Sequence, residues 1–402
     1  MVSKAREDEN HSRSAPDQPS IHNGPSTFLH PTYAYKHNSC HGPLQSFPKT
    51  IKQLADTTQS TYLKGASFNQ SCTMCTSCYD FWCYGPCCNN LEAVGYLRLS
   101  SFAGALHYAI ECFEGLKAFR GKDGKVRLFR PEENAKRLQR SARFLGIEAP
   151  STEMFVDMCK RAVMENIEFL PPYEATGASL YLRPTLIGSN PQLGVQSSKE
   201  ATFIVLCSPV GAYVGGALDA VDVVIARNYD RAAPNGSGCY KVGGNYACSL
   251  YSLNLAHELG FKAVLYLDPA TKTYIDEFNS SNFFAIKDNK YITPKSDSIL
   301  PSITNMSLET VAAHLGMEVE RRPVHTDELS TFDEVGECGT AVVITPVHKL
   351  VDKPSLESEE ETVYIYGDGQ CGPKSLRLYN YIVDLQRGAI EDTFGWNVLV
   401  EE

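Results

Sequence analysis

The sequence has no long apolar run, and its N-terminus lacks the apolar core of a signal peptide. A helix that crosses a bilayer needs about 18 or more consecutive apolar residues, so none is expected here. Positive charge is also scarce, with 37 lysines and arginines against 47 aspartates and glutamates and a formal net charge of −10. This balance argues against nucleic acid or an anionic membrane as the main partner. No internal repeat is present.

The composition that is present indicates a globular protein with room for a substantial core. The chain has 402 residues, 43% of them hydrophobic, which predicts two or three domains. Seven of its fourteen cysteines lie within the first 88 residues, and the other seven are scattered through the globular part. The scattered cysteines are typical of reduced thiols in an intracellular protein. Acidic residues at 7–9 disfavour a mitochondrial transit peptide, so the predicted location is cytoplasmic, with mitochondrial as the alternative.

The N-terminal quarter of the chain differs from the rest. Residues 1–60 are rich in Ser, His, Pro, Asn and Gln without a sustained period, which predicts disorder. Further along, Cys72, Cys75 and Cys78 have a spacing that zinc sites use. A typical zinc module repeats the pair after about a dozen residues, and no second clean pair follows here, so we predict no bound metal. Residues 1–96 are therefore predicted to be a disordered or poorly defined, Cys-rich extension.

Regular structure is predicted from about residue 94 onward. Alternating and fully apolar runs indicate strands, and apolar residues at i, i+3, i+4, i+7 and i+8 indicate an amphipathic helix. A glycine-rich break at 211–216 indicates the connection between two domains. In the first domain, strands are predicted at 126–129, 178–182 and 203–207, and helices from Pro131 onward and at 152–168.

The second domain is predicted to alternate strands with helices, which makes the whole an α+β protein of two domains. Its strands are expected at 221–226, 263–267, 283–286 and 341–344, and its helices at 246–259, 305–316 and 373–388. The predicted division is a small α/β domain over 97–210, an interdomain loop over 211–220 and a large domain over 221–402.

A single lysine stands out in the stretch from Gly238 to Tyr246. Lys241 lies among glycines and aromatics just before a helical pattern, with no Lys or Arg close by to share a solvated face. Glycines allow the backbone to approach a ligand closely. A partly desolvated lysine has a lowered pKa and can bond covalently to an aldehyde cofactor. The stretch alone leaves an ordinary loop lysine as an equal alternative.

The stretch around Lys241 resembles the lysine motif of the branched-chain amino acid aminotransferases, which are fold type IV pyridoxal-phosphate enzymes. The resemblance runs from about Leu97 to the C-terminus and recurs in further blocks that follow the family order. Any one block is a weak signal, but their agreement in order is a strong one. The further blocks are His107-Tyr108 to Phe119, Tyr181-Leu182-Arg183-Pro184, Gly211-Ala212-Tyr213, Asp276-Glu277 to Phe284, Leu300 to Thr304, and Gly339-Thr340-Ala341.

The resemblance implies the D-amino acid aminotransferase-like fold and a site for pyridoxal 5'-phosphate. Lys241 would form the Schiff base and then act as the general base. Glu277 would keep the ring nitrogen protonated, with Asp276 as the competing candidate. Tyr246 would hydrogen-bond the phenolic oxygen. The phosphate would be bound at a helix N-terminus with help from a cation and a hydroxyl; the residues implied are Ile303, Thr304, Arg137 and Thr340.

The resemblance also implies a substrate pocket that accepts an aliphatic amino acid and glutamate in turn. Aromatic walls would come from three residues, an arginine would meet the distal carboxylate of glutamate, and two positions would hold the α-carboxylate through their backbone. A further tyrosine would reach the pocket of a neighbouring subunit, which implies a homodimer. In that order, the residues are Phe113, Tyr181 and Tyr213, then Arg183, then Ser280 and Ala341, and finally Tyr108.

The predicted activity is therefore transamination between leucine, isoleucine or valine and 2-oxoglutarate. Two alternatives stay open from the sequence. One keeps the fold and acts on another aliphatic amino acid in a specialised-metabolite pathway. The other is a homologue that has lost catalysis, against which the joint presence of Lys241, Glu277, Tyr246 and Arg137 argues.

Overall fold

The computed structural model describes residues 64–69, 90–93, 97, 99–211, 218–233 and 235–400. All of them belong to one compact unit that begins at Pro48. Within these ranges, every helix is too short or too polar to cross a membrane. Two predictions fall outside the described residues: the absence of a metal at Cys72, Cys75 and Cys78, and the pocket residue Tyr213.

The described residues form seventeen strands, most of them short. In chain order they are β1 (Lys64–Asn69), β2 (Asn90–Ala93), β3 (Glu111–Phe113), β4 (Leu116–Arg120), β5 (Val126–Phe129), β6 (Ser179–Gly188), β7 (Ala201–Val210), β8 (Val221–Ala226), β9 (Ala263–Leu267), β10 (Ile275–Phe278), β11 (Asn282–Lys287), β12 (Lys290–Pro294), β13 (Glu318–Arg322), β14 (Glu334–Gly339), β15 (Val343–Lys353), β16 (Thr362–Ile365) and β17 (Asn397–Val400).

Six α-helices and two short 3₁₀ helices accompany these strands in the described ranges. The 3₁₀ helices cover Ile167–Phe169 and Thr326–Thr331. The α-helices are α1 (Gly104–Tyr108), α2 (Pro131–Leu145), α3 (Thr152–Glu165), α4 (Gly243–Glu258), α5 (Ile303–His314) and α6 (Pro373–Gln386).

The first sheet is antiparallel, with strand order β17-β5-β4-β6-β7-β1-β2 and β3 paired to β6. Helices α2 and α3 contribute to the core of this sheet, where Leu138 and Phe155 are fully buried with Leu128 and Phe203 of the strands. Proline at the first position of α2 and the Ser151 side chain that caps α3 explain where the two helices begin.

The second sheet mixes parallel and antiparallel pairs in the order β10-β9-β8-β15-β14-β11-β12-β13, with β16 on β15. Strand β10 also pairs with β11 through Glu277 and Asn282. Because β10 and β11 lie at the two ends of a six-strand run, this pair closes the run on itself. The closure places Glu277 at the seam of the second sheet.

The sequence pattern located most of the long elements to within a few residues. The predicted helices near 246, 305 and 373 are α4, α5 and α6, and the strands at 221–226 and 263–267 are β8 and β9. The strand predicted at 341–344 was placed too early. Ala341 and Val342 lie in the turn between β14 and β15, and β15 begins only at Val343, whose φ is +66°.

Two observations bear on the predicted division of the chain. The predicted N-terminal extension lies largely outside the described residues, but β1 and β2 fall inside it and pair within the first sheet. Strand β17 falls inside the predicted large domain, yet it pairs with β5 of the first sheet. The domain boundaries at 97, 211 and 221 therefore stay predictions.

Candidate active site

The backbone around Lys241 is fixed by contacts with the first sheet. Phe113 on β3 donates its N–H to the Lys241 carbonyl at 3.1 Å, and Cys112 forms an isolated antiparallel bridge with Val242. The Lys241 N–H donates to the Ser141 hydroxyl at 2.9 Å. A strand-like segment is thus held on β3 just before α4 begins at Gly243, which gives the lysine one defined position.

The Lys241 side chain lies between two aromatic rings. Its Nζ donates to the Tyr246 hydroxyl at 2.8 Å. The same nitrogen is 5.0 Å from the centroid of the Phe113 ring and 5.2 Å from that of Tyr246. Tyr246 is on the first turn of α4, so the short spacing along the chain is sufficient to bring the two predicted residues together.

Glu277 is a buried acid with three partners. Its carboxylate accepts from the Leu300 N–H at 2.8 Å and from Asn282 Nδ2 at 3.2 Å, and it forms an ion pair with Arg231 at 2.7 Å. Burial raises the pKa of the Glu277 carboxyl to about 7, and the charges of Arg231 and Lys241 oppose that rise. Arg231 also donates to the carbonyl of Gly238, three residues before Lys241, so the ion pair ties the acid to the segment that carries the lysine.

Asp276, the competing acid, has different partners. Its carboxylate accepts from the Ser298 hydroxyl, and its other oxygen is buried with no hydrogen-bond partner in the described structure. Burial raises the pKa of the Asp276 carboxyl. Adjacent residues of a strand project to opposite sides, and it is Glu277 that pairs with Arg231 of the loop before Lys241. The geometry therefore favours Glu277 over Asp276 as the acid on the lysine side of β10.

Arg231 was not predicted from the sequence, and it is the charged partner of Glu277. Its guanidinium also donates to the carbonyls of Gly238 and Ser298. Gly238 allows this packing, because a Cβ there would lie 2.2 Å from the Ser298 carbonyl oxygen. The arginine thus links the loop before Lys241 to the acid on β10. There was little indication of this role in the sequence, because Arg231 is a single arginine ten residues before the lysine.

We expect Arg231→Met to move the acid limb of the pH–activity profile to higher pH. The Glu277 carboxyl is charged above its pKa, and Arg231 holds that pKa down. Without the guanidinium the pKa rises further, so activity that depends on the charged form is lost at a higher pH, with a shift of roughly 1–3 pH units. The measurement is kcat/KM against pH. Arg227→Met, which breaks the Arg227–Asp352 pair elsewhere, should leave the limb unmoved, and an unmoved limb in Arg231→Met would contradict the prediction.

Residues predicted to bind a phosphate lie together at the start of α5. Ile303 and Thr304 are buried first-turn residues of that helix, whose N–H groups have no partner within it. Ser302 caps the helix by accepting from the Asn305 N–H at 3.2 Å. Arg137 donates to the neighbouring Pro301 carbonyl at 2.9 Å. A positive helix end and a guanidinium therefore converge, which suits an anion.

Glu114 is a second residue that the sequence prediction missed. It is fully buried and receives two bonds from Arg137, at 2.8 and 2.7 Å. A bidentate carboxylate fixes the plane of a guanidinium, so Glu114 orients Arg137 toward the start of α5. The available signal was a single acid between Phe113 and Gly115. Thr340, the predicted hydroxyl, donates to the carbonyl of the adjacent Gly115 at 3.3 Å.

Three predicted substrate residues form a cluster beside Lys241. The Arg183 guanidinium carbon is 4.7 Å from the Phe113 ring centroid and 5.3 Å from that of Tyr181, and Arg183 donates to the Tyr181 hydroxyl at 2.9 Å. Gly115 makes room for Tyr181, because a Cβ there would lie 2.3 Å from that hydroxyl. Arg183 Nε is buried and has no partner among the described residues, which leaves a donor for a ligand.

The other predicted substrate residues are placed less centrally. Ala341 accepts from Lys117, a half-buried lysine whose pKa is lowered to about 8 by partial burial. Ser280 is exposed in the turn between β10 and β11 and accepts from Asn279. Tyr108 is exposed at the end of α1 and donates to the Leu193 carbonyl. No described contact joins Ser280 or Tyr108 to Lys241.

The chain matches a known protein family over most of its described part. The model of that family, Amino-transferase class IV, matches residues 111–350. The branched-chain-amino-acid aminotransferase of Haemophilus influenzae is 48% identical over 313 residues, which cover 76% of this chain and 89% of that protein. The chloroplastic branched-chain amino acid aminotransferase 2 of Humulus lupulus is 41% identical over 309 residues, covering 77% and 74%.

Solved structures of similar fold agree with these relatives. The branched-chain amino acid aminotransferase of Escherichia coli aligns with a TM-score of 0.65 and 29% identity, over 77% of this chain and 97% of that one. The T.th. enzyme of the same name, solved with pyridoxamine 5'-phosphate, aligns with a TM-score of 0.69 and 26% identity, over 85% and 100%. The fold predicted from the sequence is confirmed.

Proposed function

The chain belongs to the branched-chain-amino-acid aminotransferases of class IV, and from this premise we propose that it moves the amino group of leucine, isoleucine or valine to 2-oxoglutarate, and back, through pyridoxal phosphate bound at Lys241. The observation that carries the proposal is the set of groups around the lysine: a tyrosine hydroxyl at 2.8 Å, a buried acid with a guanidinium partner, and a helix N-terminus beside a second arginine.

The residues present fit the cofactor at each of its polar ends. Its phosphate suits the first turn of α5 with Arg137 and Thr340, and its ring nitrogen suits the carboxylate of Glu277. Its phenolic oxygen suits the Tyr246 hydroxyl, which already bonds the lysine nitrogen. When bound, pyridoxal phosphate supplies an aldehyde that takes up the amino group and a ring that withdraws electrons from the substrate Cα.

Within this arrangement each residue has a distinct task. Lys241 Nζ would take the proton from the substrate Cα and deliver it to the cofactor carbon, as a general base and then a general acid. Glu277 would hold a proton at the ring nitrogen, and its ionised state depends on Arg231. Tyr246, which bonds the lysine nitrogen, would hold that nitrogen in position for both proton transfers. Arg137, which Glu114 holds in one orientation, would neutralise the charge of the phosphate and so help to position the cofactor.

The pocket beside Lys241 suits a substrate pair of mixed polarity. Phe113 and Tyr181 offer apolar faces to a branched aliphatic side chain, for which burial is worth roughly 1.5–3 kcal/mol. Arg183 lies against the same faces with a buried, unpartnered Nε, so its guanidinium is available for the distal carboxylate of glutamate. We propose that one pocket serves both amino acids in turn.

The experiment that tests the function is an absorbance spectrum of the cofactor-loaded protein through two additions. Leucine should convert the aldehyde form of the cofactor to its amine form, and 2-oxoglutarate should then restore it. A panel of other 2-oxo acids extends the test to the specialised-metabolite alternative, which a stronger response to a different aliphatic acid would favour. A protein that binds cofactor but responds to neither addition would not have the proposed function.

We expect Arg183→Leu to impair glutamate far more than leucine. A hydrogen bond to a charged group contributes about 1.5–3 kcal/mol, so kcat/KM for glutamate should fall roughly 10- to 100-fold, while that for leucine stays within a few-fold. Separate half-reaction rates with each amino acid measure the split. Arg143→Leu, at an exposed position of α2, is the matched control. Equal losses of kcat/KM for both substrates in Arg183→Leu would show that Arg183 has a structural role and does not bind the distal carboxylate.

A homodimer is part of the proposal, because Tyr108 was assigned to a neighbouring pocket. Phe102, Leu106 and Leu193 are exposed apolar residues close to Tyr108 in the described structure. Such a group supports a protein contact. Sedimentation of the purified protein with and without Leu106→Asp would test it, with dissociation of the variant as the expected result.

A further inference from the structure

Glu111 is an acidic residue on β3, on the strand face that lines the candidate site. Side chains alternate along a strand, so Glu111 and Phe113 project to one side and the buried Cys112 to the other. The bridge between Cys112 and Val242 brings Phe113 beside Lys241 and Glu111 beside Gly243. Glu111 therefore lies along the same wall as Phe113, over which Arg183 is stacked.

Gly243 is what allows the Glu111 carboxylate to lie against this backbone. A Cβ at Gly243 would be 1.9 Å from Glu111 Oε1 and 3.0 Å from the carboxyl carbon. Gly243 is also the first residue of α4, and its cap residue Val242 provides no side-chain bond. The carboxylate thus occupies the positive end of the helix that follows the lysine, which holds it at the edge of the site.

Glu111 lies on the same wall of the pocket as Arg183, because Arg183 stacks over Phe113, which projects from the same face of β3 as Glu111. Burial raises the pKa of the Glu111 carboxyl, and the Arg183 guanidinium opposes that rise. Within the described part of the chain, no hydrogen bond commits this carboxylate to another role. Arg183 likewise keeps its Nε free of protein partners there. The two side chains therefore place opposite charges on one wall of the pocket, and the Glu111 carboxylate and Arg183 Nε have no hydrogen-bond partner among the described residues.

We propose that Glu111 is a specificity-determining residue that balances the charge of Arg183 and so favours aliphatic over dicarboxylic substrates. The inference rests on the proposed function, in which one pocket receives both. An aliphatic side chain brings no charge, so Arg183 would be buried without compensation unless Glu111 supplied it. The distal carboxylate of glutamate must instead share Arg183 with Glu111 and approach a like charge.

The test measures binding of two unreactive acids to the cofactor-loaded protein by titration calorimetry. Glutarate stands for glutamate without its amine, and 4-methylvalerate stands for leucine without its amine. In Glu111→Gln, which keeps the shape and removes the charge, we expect Kd for glutarate to fall about five- to tenfold. Kd for 4-methylvalerate should stay the same or rise. Glu111→Ser removes the charge with a smaller side chain and should change the ratio of the two constants in the same direction.

The matched control is Glu359→Gln, which removes one negative charge from an exposed position and should leave both constants unchanged. If both acids respond equally to Glu111→Gln, or if neither responds, Glu111 does not set specificity and the inference is overturned. The spectroscopic response of the wild-type protein distinguishes a failure of the proposed function from a failure of the inference about Glu111. If neither leucine nor glutamate converts the wild type, the proposed function itself fails; if both do, only the inference is at stake.

Discussion

Replacing Lys241 by alanine is expected to lower kcat by at least about 10⁴-fold, because one amine serves as both the covalent anchor and the proton carrier. Its Nζ is the nitrogen that bonds Tyr246 and lies over Phe113. The fold should persist, since the backbone of Lys241 makes the contacts with Ser141 and Phe113 that fix the segment. Phosphate contacts at α5 should still retain some cofactor.

The anchor can be identified independently of turnover. Borohydride reduction of the wild-type protein followed by peptide mass mapping should place the label on Lys241, and Lys241→Ala should take up no label. Lys262→Ala, at an exposed position between α4 and β9, should be labelled and active like the wild type. A label on any other lysine would overturn the assignment.

Glu277→Gln is expected to lower kcat about 10²- to 10³-fold, the usual loss when one preorganised electrostatic partner of the reacting group is removed. The amide can still accept from the Leu300 N–H, so the geometry survives, but the negative charge does not. A second effect follows from Arg231, which becomes a buried cation without a counter-charge. Breaking a buried pair in this way costs about 3–5 kcal/mol, so the free energy of unfolding should fall as well.

Asp276→Asn provides a close control, because the two acids are adjacent on β10 and both are buried. Asp276 bonds Ser298, and we expect its variant to keep kcat within a few-fold. Steady-state kinetics and chemical unfolding of both variants supply the comparison. If Asp276→Asn lost as much kcat as Glu277→Gln, the ring-nitrogen partner would have to be reassigned.

Features formed by residues close together in the sequence could be predicted from the sequence. Lys241 and Tyr246 are five residues apart, and a helix start between them is enough to bring their side chains together. The amphipathic period predicted α3 almost as it is, and Pro131 marked the start of α2. Short strands such as β3 and β10 were not predicted individually, because three or four residues carry too little of a period.

What could not be read from the sequence is the set of pairs formed between distant segments. Arg137 meets Glu114, in the link between β3 and β4, and the Pro301 carbonyl before α5, and neither partner follows from helix period or local motif. Arg231 and Glu277 meet because the second sheet closes at the β10–β11 pair. Val343 shows a third limit, since a β-branched residue in the left-handed region is a costly conformation that no propensity favours.

The pairing of β17 with β5 has a consequence for how the protein is made. The first sheet is otherwise built from segments up to residue 210, but the strand that covers β5 follows every other described strand in the chain. During synthesis β5 would therefore remain an open edge until every described strand of the second sheet had emerged, and such edges recruit strands from other chains. Removing residues 397–400 should leave that edge open permanently and cause misassembly during refolding, even though every residue assigned to the chemistry would be intact.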